Sequence, residues 1–391
     1  PYMSANLIYD GEPRLQALFE EGRIARSYVV VERGQQIGII GATTPNLRFI
    51  SSPRNVEVLD DVAGAVQAEE KLVVYNWSEY IPEGVLDDFT RETGIEVEYS
   101  TYENNEVMYS KLKLQKGKGY DIVVPSTYLV SLMREEGLLH EIDHSKLINI
   151  GNLSPDLMDK PYDPGNRYSI PYLWGSTGIG VNVSEINPAT ITKWADLWDP
   201  KWKGKLLLTD DVREVFHMAL KKNGFSTNTT DPDEIRVAYE DLRKLMPNVL
   251  VFNADAPREP FLAGDVNLGM IWSGEVIMAQ EENPDIRYIY PAEGAGFWVD
   301  SFAIPAGAEN VENAHKFIDY MLRPDVAARA VEELGYSSPN APAKELLSDE
   351  IRNNPVIFPS TESIQAGEFQ QDLGEAMEIY NGYWEKLKTG S

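Results

Sequence analysis

The chain has 391 residues, 43% hydrophobic and 25% charged, which is enough apolar content to bury large cores and excludes a largely disordered or collagen-like protein. Its 62 Asp and Glu outnumber 35 Lys and Arg, and the net charge of -27 repels phosphate backbones and anionic lipid and attracts cations. Cysteine is absent, which excludes disulfides, thiolate metal sites and cysteine nucleophiles, and no apolar run is long enough to cross a bilayer.

Composition changes near Glu69-Glu70-Lys71. Residues 1–70 contain Arg but no Lys, Trp or His, and every Lys, Trp and His follows that point. In the first segment Pro13 to Arg23 has helical spacing. Ser27 to Arg33 and Ile37 to Ile40 read as two strands around a Gly34-Gln35-Gln36 turn, and Asp60 to Glu70 reads as a second helix. The second segment alternates strands with helices, which predicts an α/β architecture with mostly parallel sheets. Leu72–Tyr75 is a short apolar strand. Pro82 to Thr93 is a helix with Pro near its first turn, Val85, Leu86 and Phe89 inward, and Gly94 as its stop. Ile95, Val97 and Tyr99 alternate as a half-buried strand, and Tyr120–Val124 forms another that Pro125 closes. Leu206–Leu208, Leu268–Ile271 and Ser301–Ile304 are further short strands, and Val311 to Leu322 is a helix.

Chemistry gathers where those strands end. Leu72–Tyr75 runs into Asn76-Trp77-Ser78-Glu79-Tyr80, and Ile122–Val124 into Pro125-Ser126-Thr127-Tyr128. Leu206–Leu208 leads to Asp210-Asp211 with Glu214 one turn later, and Leu268–Ile271 leads to Trp272. Trp298 and Asp300 are two apart and share a side if extended. Ligands of open parallel sheets sit outside the carboxyl ends of strands. Here that zone is supplied with rings and carboxylates and hardly any basic groups. Ring faces attract ammonium groups by about 0.5–2 kcal/mol each and cover methylene chains, while carboxylates pair with terminal ammoniums. A linear polyamine needs both along its length.

Each residue also has a plainer role open to it. Trp77, Trp272 and Trp298 taken singly fit a core or rim, and Glu79 and Asp300 fit solvated loops. Asp211 and Glu214 have the D-x-x-E spacing of a capping box ahead of Val212–Lys222. His140, His144, His217 and His315 are scattered and form no H-E-x-x-H or H-x-E motif. Gly175-Ser-Thr-Gly178 lacks the Lys of a P-loop, and no Ser sits in G-x-S-x-G.

Tyr75-Asn-Trp-Ser-Glu-Tyr80, Val124-Pro-Ser-Thr-Tyr128, Leu208-Thr-Asp-Asp211, Asn267-Leu-Gly-Met-Ile-Trp272 and Gly335-Tyr336 fall in order over residues 71–391. On these strings the segment resembles the bacterial spermidine/putrescine-binding proteins, the solute-binding components of polyamine ABC importers. The resemblance implies an α/β, two-lobed periplasmic binding fold (type II-like). Lobe one would hold 71–177 plus about 301–346, and lobe two about 178–300 plus 347–391. It implies an aromatic box of Trp77, Tyr80, Trp272, Trp298 and Tyr336, acids Glu79, Asp211, Glu214 and Asp300, and polar contacts from Ser78, Ser126, Tyr128 and Gln370. Glu79, Trp298 and Gln370 resemble the spermidine-preferring branch, so spermidine is expected ahead of putrescine. The implied protein is a periplasmic monomer without enzymatic activity, cofactor, metal or nucleic-acid partner, and it delivers polyamine to a membrane permease. A polyamine sensor of the same fold would carry a similar site.

Residues 1–70 do not share that likeness. Ser4-Ala-Asn-Leu7, Ile37-Gly-Ile-Ile-Gly-Ala-Thr-Thr-Pro45 and Ile50-Ser-Ser-Pro53 resemble an internal piece of the bacterial 5'-nucleotidase metallophosphatase domain. The D-x-H, N-H-E/D and G-H-x-H motifs that hold that family's two metals are missing, so the segment reads as a noncatalytic appendage and metal-dependent hydrolysis is the remote alternative.

Overall fold

The structure, a computed structural model, describes residues 71–390 and, before them, the backbone of four short strands. The chain divides into two compact units, Pro1–Glu70 and Lys71–Ser391. In the first, strands β1 (Leu7–Ile8), β2 (Tyr28–Glu32), β3 (Gln35–Ile39) and β4 (Glu57–Val58) form an antiparallel sheet of order β2-β3-β1-β4. Glu32 pairs with Gln35, so Gln35 and Gln36, expected in the turn, belong to the second strand. The helices expected at 13–23 and 60–70 lie outside the described residues, as does most of the nucleotidase-like sequence.

The second unit is built on a ten-stranded sheet. Its first part contains β5 (Lys71–Trp77), helix α1 (Val85–Thr93), β6 (Glu96–Tyr102), α2 (Asn105–Gln115), β7 (Ile122–Val123) and α3 (Thr127–Glu135). The long β8 (Ser169–Asn182) leads into β9 (Leu206–Leu208), α4 (Val212–Lys222), α5 (Pro232–Leu245), β10 (Val249–Phe252), β11 (Leu268–Trp272), α6 (Ser273–Glu282) and β12 (Ile286–Ile289). The chain returns through β13 (Gly296–Ala303), α7 (Val311–Met321), α8 (Pro324–Leu334), β14 (Glu368–Phe369) and α9 (Met377–Thr389).

Sheet topology corrects the expectation of mostly parallel pairing. β5 lies parallel to β6 and β7, and β9 parallel to β10 and β11. These two parallel groups are joined by antiparallel strands: β8 pairs β13 through its first half and β11 and β12 through its second. The 14 residues of β8 are enough to run from one group into the other. The expected Ser301–Ile304 strand is the tail of β13, one continuous strand from Gly296.

Two apolar cores sit on either side of this junction. One gathers Leu72, Val74, Phe89, Ile122, Ile170, Phe302 and Phe317, and the other Ile179, Trp194, Leu206, Leu208, Phe216, Leu242 and Tyr380. Leu207 points the opposite way, into a smaller core with Phe261, Ile271 and Val276. Burial on both faces explains why this strand reads as an unbroken Leu run. Helix α1 begins at Val85, after Gly84 at φ 72, so Pro82 lies in the preceding turn rather than at N1, and Gly94 at φ 76 ends it as expected. Leu347 and Ile357 pack on Ala327, Ala328 and Val331 of α8 in a smaller apolar cluster.

Gly335 closes α8 at φ 70, and a Cβ there would sit 2.5 Å from Ile277 Cβ. The left-handed cap and the missing side chain together let the chain turn tightly into Tyr336. Gly335→Ala is expected to lower the unfolding free energy by about 1–3 kcal/mol in urea titration. An unchanged midpoint and slope would contradict this account of the turn.

Candidate functional site

Between the two cores lies a cleft enclosing about 560 Å³, counting the mouth that opens to solvent. Twelve of the thirteen expected residues line it: Trp77, Ser78, Glu79, Tyr80, Ser126, Asp211, Glu214, Trp272, Trp298, Asp300, Tyr336 and Gln370. Trp77, Ser126, Asp211 and Trp272 stand at or just past the carboxyl ends of β5, β7, β9 and β11. Trp298 and Asp300 are central in β13, on one face of the strand that joins the cores, while Val299 lines a separate groove behind it. The register of β13 against β8 shifts between Asp300 and Ser301, and this irregularity lies beside the buried carboxylate.

Aromatic packing fixes one wall. The rings of Tyr80 and Tyr336 are 5.5 Å apart, and those of Trp298 and Tyr336 5.2 Å, both edge-to-face. Trp298 lies directly against β8, where a Cβ on Gly175 would come within 2.7 Å of its Cζ2. Trp77 donates Nε1–H to the Val124 carbonyl at 2.9 Å and packs 4.8 Å from the Tyr102 ring.

The acids are held more tightly than solvated loop carboxylates. Asp300 is 4% exposed, and its Oδ1 and Oδ2 accept from Ser126 Oγ at 2.5 Å and Tyr80 OH at 2.9 Å. Asn105 Nδ2 donates to Ser126 Oγ at 3.0 Å and orients that hydroxyl. Asp211 does cap α4, accepting from the Glu214 N–H at 3.0 Å, and it lines the cleft as well. The reciprocal arm of the box is replaced: Glu214 Oε1 accepts from Gln370 Nε2 at 2.7 Å, and Glu214 Oε2 is buried with no hydrogen-bond partner. Gln370 is itself pinned, its N–H donating to the Phe297 carbonyl and its carbonyl accepting from Thr127 Oγ1.

Burial raises the proton affinity of these groups because a charged carboxylate loses its water. Asp300 is pushed up to about 7. Glu214 rises to about 8, by burial first and the neighbouring charge of Asp211 second. Asp211 is also raised by burial, against the pull of the Glu214 N–H and of Arg213.

Tyr128 does not line the cleft. It is buried on α3, where its OH donates to Glu106 Oε1 at 3.1 Å and the Arg213 guanidinium lies 4.9 Å over its ring. It supports the wall from one layer back. Four lining residues were missed: Asn105, Ala254, Asp255 and Glu275. Asp255 follows β10 and so shared the signal of an acid beyond a strand end. Glu275 lies three residues past Trp272, in the first turn of α6. Nothing in the sequence pointed to Asn105 or Ala254.

Beside Glu79 stand further charged groups, Arg258, Asp255 and Glu259 among them. Arg258 Nη2 donates to Glu79 Oε1 at 2.8 Å, and its Nη1 contacts Glu275 Oε2 at 3.1 Å. The Glu275 carboxyl is pushed up to about 7 by burial, against the pull of Arg258.

A family model described as bacterial extracellular solute-binding protein matches residues 84–359. The chain belongs to this family. It is 56% identical over 319 residues to the spermidine/putrescine-binding periplasmic protein of Escherichia coli (strain K12), covering 82% of this chain and 92% of that protein. Identity to a putrescine-binding periplasmic protein of the same organism is 33% over 349 residues, covering 84% and 94%. Among solved structures, a putative spermidine/putrescine ABC transporter protein from Listeria monocytogenes superposes with a TM-score of 0.79 at 37% identity, covering 82% of this chain and all of that one. The two-lobed binding fold expected from the sequence is thereby established, with a mixed rather than parallel sheet.

The raised acids give a sign to the pH dependence of stability. Glu214 binds a proton in the folded state up to about pH 8 but in the unfolded chain only up to its ordinary 4.5, so its contribution is lost as pH rises through that window. Glu214→Gln is expected to raise the stability of the ligand-free protein at pH ~8 by about 1–3 kcal/mol and to have a smaller effect at pH ~5. An equal effect at both pH values in urea titration would contradict it.

Proposed function

We propose that this protein is a periplasmic, non-enzymatic polyamine receptor that takes spermidine in preference to putrescine into the cleft and delivers it to an ABC permease. The observation that carries the reading is the joining of aromatic faces to buried carboxylates, one with an unpaired oxygen, in a single cavity. Such a wall repels anions and gains from a desolvated cation. The names of the similar proteins agree with it.

The chemistry divides along the ligand. Asp300, carried by Ser126 and Tyr80, takes one ammonium. Asp211 and Glu214 take a second, and Glu79 stands toward the mouth. Trp298, Trp272, Trp77 and Tyr336 cover the methylenes between, burying apolar area at about 25 cal/mol per Å². A triamine offers about three charges to these acids and a diamine about two, which favours the longer ligand.

Lobe one is assigned the first core with Trp77–Tyr80 and Ser126, and lobe two the second core with Asp211, Glu214 and Trp272. β8, β13 and the segment near Gln370 connect them. A ligand touching both lobes favours the form in which they close, and that form docks on the permease. The receptor acts as a monomer.

Spermidine is expected to quench or shift the tryptophan emission and to bind with micromolar or tighter affinity in calorimetry. Asp300→Asn is expected to weaken it about 100-fold or more, since it removes the charge from a buried charge-assisted pair. Absence of heat and of any fluorescence change with the wild-type chain would overturn the reading.

A further inference from the structure

The short strand β14 and the two residues after it form a strap between two hollows. Gln370 lines the cleft on one side and, with Phe369 and Gln371, a groove of about 1020 Å³ on the other, counting its open mouth. Backbone pairing of the strap to β13 ends with the Gln370 N–H on the Phe297 carbonyl. Beyond that point the strap is held by side chains, above all from α4 and the loop that follows it. Asn228 Oδ1 accepts from the Gln371 N–H at 2.8 Å, and Asn228 Nδ2 donates to the Phe369 carbonyl at 2.9 Å. One amide thus grips the peptide groups on both sides of Gln370, whose opposite ends go to Phe297 and Thr127. Arg213 of α4 completes the grip: its Nη2 donates to Asn228 Oδ1 at 3.1 Å and its Nη1 to the Gln371 carbonyl at 2.9 Å. Its side chain is 2% exposed and lies over the Tyr128 ring of α3. Burying a guanidinium is unfavourable unless its donors are engaged. Here the strap and Asn228 engage them.

We propose that Arg213 is a positioning residue for the binding site: its planar fork, extended by Asn228, fastens the strap so that Gln370 faces Glu214 instead of the groove behind. The inference rests on the polyamine reading above. Gln370 Nε2 donates to Glu214 Oε1 at 2.7 Å, and a donor at that oxygen favours the charged carboxylate, the form that pairs with an ammonium. Released from the clamp, the amide has room to turn into the groove, and Glu214 then holds its proton more tightly. A lysine at 213 would keep the positive charge but could not offer two donors in one fixed plane.

The test is calorimetry with spermidine on the full chain, on Arg213→Lys and Asn228→Ala, and on each of these combined with Gln370→Leu. Neither single variant changes the charge of the site. Each is expected to weaken spermidine about fivefold or more, and to weaken it less than about twofold further once Gln370 is replaced. Losses that multiply in full in both double variants would place the effect elsewhere and overturn the proposal, as would wild-type affinity in both single variants. Proton counting separates positioning from loosened packing. Glu214 is faced by Asp211, Arg213 and His217 on its own helix, by Thr177 of β8 and Tyr288 of β12, and by Gln370. In Asn228→Ala only Gln370 is released among these. Net proton release on spermidine binding at pH ~8 is therefore expected to rise in that variant, because the charged form of Glu214 loses a donor. An unchanged or smaller release would make the clamp merely structural and overturn the proposal. Asn228→Ala carries the test alone where Arg213→Lys does not fold. Failure of the wild-type chain to bind spermidine would instead overturn the polyamine reading.

Discussion

Carboxylates taken out of water without a full set of counter-charges set the character of this molecule. Asp300 and Glu214 are each at 4% exposure and Asp211 at 6%, and what they hold locally is hydroxyls, an amide and a backbone N–H rather than cations. Neutral donors satisfy some lone pairs but do not cancel charge. The folded chain therefore keeps Asp300 and Glu214 partly protonated near neutral pH, and a positively charged guest supplies what the protein omits. The rings complete the arrangement because they are among the few apolar surfaces that also attract cations.

The fold supplies the place for this bargain between stability and binding. Two parallel groups of strands end at the cleft, and the antiparallel pair β8 and β13 runs between them. Placing Trp298 and Asp300 on β13 itself ties the cleft wall to the antiparallel pair that runs between the two strand groups. Strand ends, the loops after them and the first turns of helices supply the remaining contacts, where side chains can turn inward without disrupting either core.

Much of this was legible in the amino-acid sequence, for identifiable reasons. Trp77, Asp211 and Trp272 follow short apolar runs, and a strand's end is where an α/β sheet exposes function. Trp298 and Asp300 obeyed the two-residue period of a strand. The capping spacing of Asp211 and Glu214 proved compatible with a second role, since a cap uses one carboxylate oxygen and leaves the rest of the group free to face the cavity. Tyr128 was placed too far forward because its string shares a loop with Ser126. Only three-dimensional packing distinguishes a residue at the first turn of α3 facing Arg213 from one facing the cleft. Arg258 carried no signal, because its pairing with Glu79 joins positions far apart in the chain, and Glu275 carried only a weak one, since a helix-first-turn acid is common in any protein. The mixed sheet was hidden for a related reason, as pairing direction follows from connections rather than from the pattern within a strand.

Proton counting on binding tests the central claim most directly. Groups raised to about 7 and about 8 in the free protein must give up protons when ammoniums arrive. Titrating spermidine into the full chain near pH 7, in buffers of low and high ionisation enthalpy, should show net proton release, seen as a buffer-dependent heat that disappears toward pH ~9. A heat independent of buffer at neutral pH, or net proton uptake, would mean that the acids were already charged and balanced before the guest arrived, and would contradict the account.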